Sequence, residues 1–131
     1  MEQTLIVIKP DGVERNLVGA ILSRFEKREF AIFKMKMFKF TKGQAEEFYL
    51  PHQEKHFFYS LVQFIISGPV VAVILEGSTA VEVVRKMIGA TKSHEAVPGT
   101  IRGDFGLGLQ DNVIHASDSK ESFERESKII F

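Results

Sequence analysis

No cysteine occurs among the 131 residues, so a disulfide framework, thiolate chemistry and cysteine-ligated metals are excluded together. An excess of one charge is equally missing, since 17 basic and 17 acidic side chains give a formal net charge of zero. A whole-molecule field that would draw in nucleic acid or a membrane surface is therefore absent, although local clusters remain open. The longest aliphatic run, Val70 to Leu75, is far too short to span a bilayer. Met1-Glu2-Gln3 carries no basic stretch ahead of an apolar core, so no signal peptide is expected and a cytoplasmic location is the default. What the chain does have is hydrophobic mass. Its 44% hydrophobic content, including twelve phenylalanines, can fill one core, and the length suits one domain spanning residues 1–131. No internal repeat, low-complexity tract or linker divides it.

The hydrophobic pattern predicts strands and helices in alternation. Thr4 to Ile8 is a short apolar run that stops at Lys9-Pro10, which fits a buried strand with Lys9 at its end. Val18, Ile21, Leu22 and Phe25 follow helical spacing, entered through the turn-tolerant Asn16. Ala31 to Phe40 alternates, with Lys34 and Lys36 between Phe33, Met35 and Met37, and predicts a half-exposed strand with a bulge near Phe38. Thr41 with Gln44 reads as a capping box opening a helix through Tyr49. Phe58, Leu61, Val62 and Ile65 predict another helix, ended by Gly68-Pro69. Val70 to Glu76 reads as a central strand. Thr79 with Glu82 reads as a second capping box, for a helix stopping at Gly89. Ala90 to Asp111 shows little periodicity, and unpatterned segments of that length usually carry function. Val113 and Ile114 suggest a last short strand, and Asp118 with Glu121 opens a final helix toward Ile130. This order suits an α+β ferredoxin-like sandwich, a four-stranded antiparallel sheet covered by helices.

Two apparent motifs carry little. Asp104-Phe105-Gly106 spells a magnesium-holding tripeptide of protein kinases, but the glycine-rich loop and HRD segment that must accompany it are missing. His52 and His56 are four residues apart, as in a zinc clamp, yet no third ligand lies at a telling distance, and two surface histidines are the simpler reading. Neither a Walker A loop nor a GxGxxG fingerprint is present, so any bound phosphates would be neutralised mainly by side chains.

The informative segment is Asn112 to Ser119, NVIHASDS. His115 falls at a strand end just before a helix N-terminus, where free backbone N–H groups favour anions. A nucleophilic histidine needs one bare ring nitrogen and a partner that fixes the ring. Alone, such a histidine is more often a hydrogen-bonded structural residue. Lys9 at a strand end, Arg85 on a helix and Arg102 in PGTIRGDF, within the Gly-containing unpatterned segment 90–111, change the picture, because three cations from separate elements can converge on a polyphosphate.

At these residues the sequence resembles the nucleoside diphosphate kinase family. The matching runs are IKPDGV (8–13), LVGAIL (17–22), SGPVVAVILEG (67–77), Arg85 to Thr91, PGTIRGDF (98–105) and NVIHASDS (112–119), in family order across essentially the whole chain. The resemblance implies a ping-pong reaction in which a nucleoside triphosphate, usually ATP, phosphorylates His115 and a nucleoside diphosphate then takes the phosphoryl group. It implies Lys9 at the terminal phosphates, Arg85, Thr91 and Arg102 as a clamp on the outer phosphates, and Asn112 at the sugar 3′-hydroxyl. Phe57 and Leu61 become the clip around the base, and stacking would explain tolerance of every base. Glu126 orients the imidazole, with Ser117 and Tyr49 near the histidine and its phosphate. Magnesium is expected to ride on the nucleotide phosphates, with no direct protein ligands. A homo-oligomer is implied, the hexamer favoured over the tetramer, with no nucleic-acid or membrane partner.

Two positions depart from the family pattern. Ala116 follows the histidine where relatives often carry glycine, which would strain the chain if a positive φ were required there. Asn16 stands where glycine is frequent, and asparagine tolerates left-handed geometry best after glycine. Two rival readings are a regulatory protein that has lost turnover and an RNA binder using its sheet face. The first is opposed by the filled catalytic positions. The second is opposed by the absence of aromatics at 4–8 and 70–76.

Overall fold

The computed structural model describes residues 1–108 and 111–131. Its centre is a sheet in the order β2-β3-β1-β4, every neighbouring pair antiparallel, formed by β1 (Glu2–Ile8), β2 (Ala31–Phe38), β3 (Val70–Gly77) and β4 (Ile114–Ala116). The unbroken apolar character of β1 and β3 follows from their central place, where both faces are covered. Ile6 and Ile8 of β1 and Val71, Val73 and Leu75 of β3 pack with Ile21 and Phe25 of α2 (Val18–Lys27) and Val84 and Ile88 of α5 (Ala80–Ile88). The alternate residues Leu5, Val7, Val70, Ala72 and Ile74 pack on the other face against α3 (Lys42–Phe48), α4 (Phe58–Ile65) and α7 (Lys120–Ile130). Each such fully buried aliphatic side chain stabilises the fold by about 1.5–3 kcal/mol. The architecture is the expected α+β ferredoxin-like sandwich, with helices on both faces of the sheet.

Local chemistry explains most element ends. The Thr41–Gln44 capping box is present in both directions, at 3.1 Å each. Asn16 adopts φ 59° ahead of α2, and Gly89 adopts φ 89° after α5. α1 (Pro10–Glu14), a single turn with proline in its first turn, has too short a pattern to be read from sequence.

Several expectations need correction. The irregularity of β2 lies between Ile32 and Lys34, not near Phe38, and β2 is an edge strand with Phe33, Met35 and Met37 all exposed. Thr79 does not cap α5. It sits in the left-handed region at φ 52°, and the Val81 N–H donates instead to Glu2 Oε1 at 2.8 Å, a carboxylate delivered by the first strand. The cap of α7 is Ser119, whose Oγ accepts from the Ser122 N–H at 3.1 Å, while Asp118 accepts from the Ser122 hydroxyl at 2.7 Å. The last strand runs Ile114–Ala116, one residue later than expected, because Val113 is at φ 64°. The segment 90–111 holds a helical turn at Ser93–Glu95 and the short helix α6 (Ile101–Phe105), while Leu109 and Gln110 lie outside the described residues. Ala116 is extended strand and not at positive φ, so the methyl costs no backbone strain. Asp104 of the DFG tripeptide has a plainly structural task, an ion pair with Arg24 at 2.6 Å.

Candidate functional site

The end of β1, the turn into β4 and the loop after α5 meet at one corner of the sheet. Lys9 is buried there, and its Nζ donates to Asn112 Oδ1 at 2.8 Å. The Asn112 amide in turn donates to the Thr91 carbonyl at 2.8 Å, so three segments distant in sequence are tied together. Burial, and next the positive charge of Arg102, pull the Lys9 pKa from 10.5 down to about 7, against the opposing pull of Asp11 and Asp111. The ammonium is thus held where a phosphate would find it poorly solvated and responsive.

β4 is an edge strand, and its outer carbonyls would be unpaired but for two guanidinium groups. Arg102 of α6, itself buried, donates to the Ile114 carbonyl at 2.7 Å and the Gly89 carbonyl at 3.1 Å. Arg85 of α5 donates to the Ala116 carbonyl at 3.1 Å. Burial, then the neighbouring Arg85, lower the Arg102 pKa to about 10, so it remains a cation at neutral pH. The two arginines therefore flank His115, the residue between their acceptors.

His115 pairs with Val7 in the β1–β4 ladder, and its ring meets the Phe48 ring edge-on at 4.8 Å. Its side chain keeps 22% exposure, and Nε2 lies 2.8 Å from Glu126 Oε1. An ionised carboxylate only accepts, so Nε2 carries the hydrogen and Nδ1 of the neutral ring keeps its lone pair. Among the described residues no hydrogen bond engages Nδ1. The Ser117 hydroxyl donates to the same Glu126 oxygen at 2.7 Å, from behind the imidazole, and Arg125 lies 3.5 Å from Oε2. Burial of Glu126 works to raise its pKa, but the charge and hydrogen bond of His115, the Ser117 hydroxyl and Arg125 together hold it below the ordinary value. The carboxylate is ionised and fixed.

These residues line a cleft of about 530 Å³, well within the size range of small-ligand sites. The structure brings Lys9, Tyr49, Phe57, Leu61, Arg85, Thr91, Arg102, Asn112, His115 and Glu126 to its walls; Ser117 is not in the wall but acts on Glu126. Phe57 and Leu61 stand one helical turn apart at the start of α4, with the Leu61 N–H donating to the Phe57 carbonyl at 3.0 Å. Burial first, then the nearby Glu126, raise the Tyr49 pKa, so the phenol stays protonated.

Sequence reasoning missed part of this wall. Lys55, Lys92 and Arg125 add three cations, and His52, expected at the surface, lines the cleft with its Nδ1 buried and without a hydrogen-bond partner among the described residues. Lys92 and Arg125 adjoin Thr91 and Glu126, and that adjacency was the available signal. A neutral chain thus concentrates Lys9, Lys55, Arg85, Lys92, Arg102 and Arg125 around one cleft, opposed among the described lining residues by Asp118 and Glu126.

Comparison with known proteins bears on the chain as a whole. Residues 2–131 match the family model described as nucleoside diphosphate kinase. A curated relative of that name from Staphylothermus marinus is 55% identical over 99% of this chain and 92% of its own. Another from Pyrococcus abyssi is 57% identical over 99% of this chain and 84% of its own. Among solved structures, the chain is similar to Aquifex aeolicus nucleoside diphosphate kinase, with a TM-score of 0.97 and 50% identity over 99% of this chain and 94% of that one. It is also similar to the halophilic enzyme from Halobacterium salinarum in complex with CDP, with a TM-score of 0.96 and 43% identity over 99% of this chain and 87% of that one.

Proposed function

The chain belongs to the nucleoside diphosphate kinase family, and from that premise we propose how its cleft performs the reaction. The activity is transfer of the terminal phosphate of a nucleoside triphosphate to a nucleoside diphosphate. In our reading ATP is the usual donor, and its base lies between Phe57 and Leu61. Asn112 takes the sugar 3′-hydroxyl, and Arg85, Thr91, Arg102 and Lys9 hold the phosphates. His115 Nδ1 attacks the γ-phosphorus. The N–P bond forms as the bond to the β,γ-bridging oxygen breaks, and the diphosphate leaves with that electron pair. Glu126 stabilises the positive charge that develops on the ring, through the Nε2 hydrogen. An acceptor diphosphate then attacks the phosphohistidine in the reverse sense. Covalent catalysis divides one transfer between two scarce substrates into two steps at one site, and the fixed cations supply the electrostatic stabilisation that phosphoryl transfer requires. Tyr49 offers a protonated phenol to the same space.

One observation carries this reading: the 2.8 Å contact that pins Nε2 to Glu126 and leaves Nδ1 bare beside the cations. Magnesium fits as a passenger on the phosphates. Asp118, kept ionised first by the Ser122 hydroxyl, lines the same cleft as the phosphate-holding cations and would be near a hydrated ion carried on the phosphates. When bound, it would offset phosphate charge. The exposed Phe33, Met35 and Met37 of β2 support a homo-oligomer, read as a hexamer in preference to a tetramer. No helix among the described residues is long and apolar enough to cross a membrane, and we place the activity in the cytoplasm with its substrates. Incubation with γ-labelled ATP and magnesium tests the mechanism. Acid-labile, base-stable label should appear on the protein, move onto added GDP, and vanish in His115→Ala. Label surviving on a hydroxyl residue would overturn it.

A further inference from the structure

Asp11 has no part in the reaction as described, yet its carboxylate is placed at the junction on which that reaction depends. Asp11 Oδ2 accepts the Val113 N–H at 3.1 Å, and Oδ1 is buried without a hydrogen-bond partner among the described residues. Val113 is a β-branched residue at φ 64°, a costly conformation that persists only where neighbours enforce it. The Ile114 N–H donates to the Asn112 carbonyl at 2.8 Å, closing a tight three-residue turn about Val113. The Val113 carbonyl accepts the Lys9 N–H at 2.8 Å, while Lys9 Nζ reaches back to Asn112 Oδ1. Gly12 permits this approach, because a Cβ there would stand 3.1 Å from the Val113 carbonyl oxygen and 2.8 Å from Ile8 Cγ2.

A neutral acceptor would satisfy the Val113 N–H without the cost of desolvating a carboxylate. Burial does push the Asp11 pKa up, and the Val113 N–H and Lys9 pull against it. The N–H groups of Asp11 and Gly12 at the start of α1 help to hold the charge, and its influence also reaches Lys9. Among the described residues, the charged groups that act on Lys9 include Asp11 of α1, Arg102 of α6 and Asp111 ahead of the turn; the first and last oppose the discharge that burial and Arg102 promote.

We propose that Asp11 is a positioning residue for the transfer: its carboxylate holds the Asn112–Val113–Ile114 turn in its strained form and sets a negative charge against Lys9, so that ammonium, amide and imidazole meet the phosphates in register. This rests on the roles given above to Lys9, Asn112 and His115.

Two variants separate brace from charge. Asp11→Asn keeps an oxygen for the Val113 N–H and removes the charge, and Asp11→Ala removes both. The first readout needs no activity: the NMR titration of Lys9 in nucleotide-free, lysine-labelled protein, its signal assigned with Lys9→Arg. In Asp11→Asn the midpoint should fall by about half a pH unit or more. The second readout is kcat/KM and kcat for phosphoryl transfer against pH. The deficit of Asp11→Asn should widen as pH rises from about 6 to about 9, whereas Asp11→Ala should lose about tenfold or more in kcat throughout. An unshifted Lys9 midpoint with parallel profiles in Asp11→Asn overturns the electrostatic half, and an Asp11→Ala kcat equal to that of Asp11→Asn overturns the brace. If wild-type protein forms no phosphohistidine, the catalytic reading fails on that result alone, while the Lys9 titration still decides what Asp11 does.

Discussion

Glu126→Gln separates charge from shape at the imidazole. The side chain keeps its volume and one oxygen, so the buried site is neither emptied nor crowded. What changes is the 2.8 Å Nε2–H to Oε1 bond, which becomes a neutral one. Hydrogen bonds to charged groups are worth about 1.5–3 kcal/mol against about 1 kcal/mol for neutral pairs. The difference, about 0.5–2 kcal/mol, applies most fully when the ring gains positive charge during attack, and it predicts a loss of roughly 2–30-fold in the rate of His115 phosphorylation. A flip of the new amide would present NH₂ to Nε2 and drive the hydrogen to Nδ1, which would silence the nucleophile. The Ser117 hydroxyl, donating at 2.7 Å to the same oxygen, selects against that flip. Ser117→Ala combined with Glu126→Gln should therefore cost more than the two single losses combined.

Rapid-quench measurement of phosphohistidine formation at saturating ATP reads the step directly. A Glu126→Gln rate equal to wild type, or a loss as deep as that of His115→Ala, would refute the reasoning. A stability measurement checks the charge itself. The folded pKa of Glu126 lies below its ordinary 4.5, so the ionised group stabilises the fold above that value, and the contribution is lost as pH falls through the folded value. The acid side of the stability curve should be flatter in Glu126→Gln than in wild type.

Three further outcomes are expected. Lys9 titrates at about 7 in the free protein, and phosphates will raise that value, so nucleotide binding near pH 8 should take up a fraction of a proton. Calorimetry in buffers of different ionisation enthalpy should show the uptake in wild type and its loss in Lys9→Arg. Thr79→Gly should stabilise the protein by about 0.5–1 kcal/mol, because a left-handed threonine is relieved and no cap is lost; a fall in Tm would restore the capping box. Phe57→Ala should raise KM by a similar factor for all four bases, equivalent to about 1–3 kcal/mol of lost stacking, and steady-state kinetics with four diphosphates would expose any base-selective loss.

Whether an element was legible depended on how local its cause was. β1 and β3 announce themselves because both faces are buried, so no polar residue interrupts Leu5–Ile8 or Val70–Leu75. Thr41–Gln44 and Thr79–Glu82 spell the same signature, yet only the first is real. The second fails because Glu2, far away in the chain, supplies the acceptor at the start of α5. Asp118 and Ser119 are equally good caps on paper, and backbone geometry chooses between them. For the site, the resemblance pointed to the residues that line the cleft, with Ser117 just behind the wall. Lys55 stayed hidden because an isolated surface-type cation carries no pattern until folding aims it at one space, and Lys92 and Arg125 were marked only by standing next to Thr91 and Glu126. His52 was misplaced because exposure is a tertiary property, and the polar Gln53-Glu54-Lys55 that follow it gave no sign of a cleft.

The guanidinium groups on β4 serve two masters. An unguarded strand rim invites a foreign chain to zip onto it, and here the rim belongs to the very strand that bears the nucleophile. Damage to the clamp would thus do more than weaken substrate capture, for it would unmask a sticky border. Variants at Arg85 or Arg102 should announce themselves as turbidity in the flask before anyone runs an assay, and added nucleotide would be no cure.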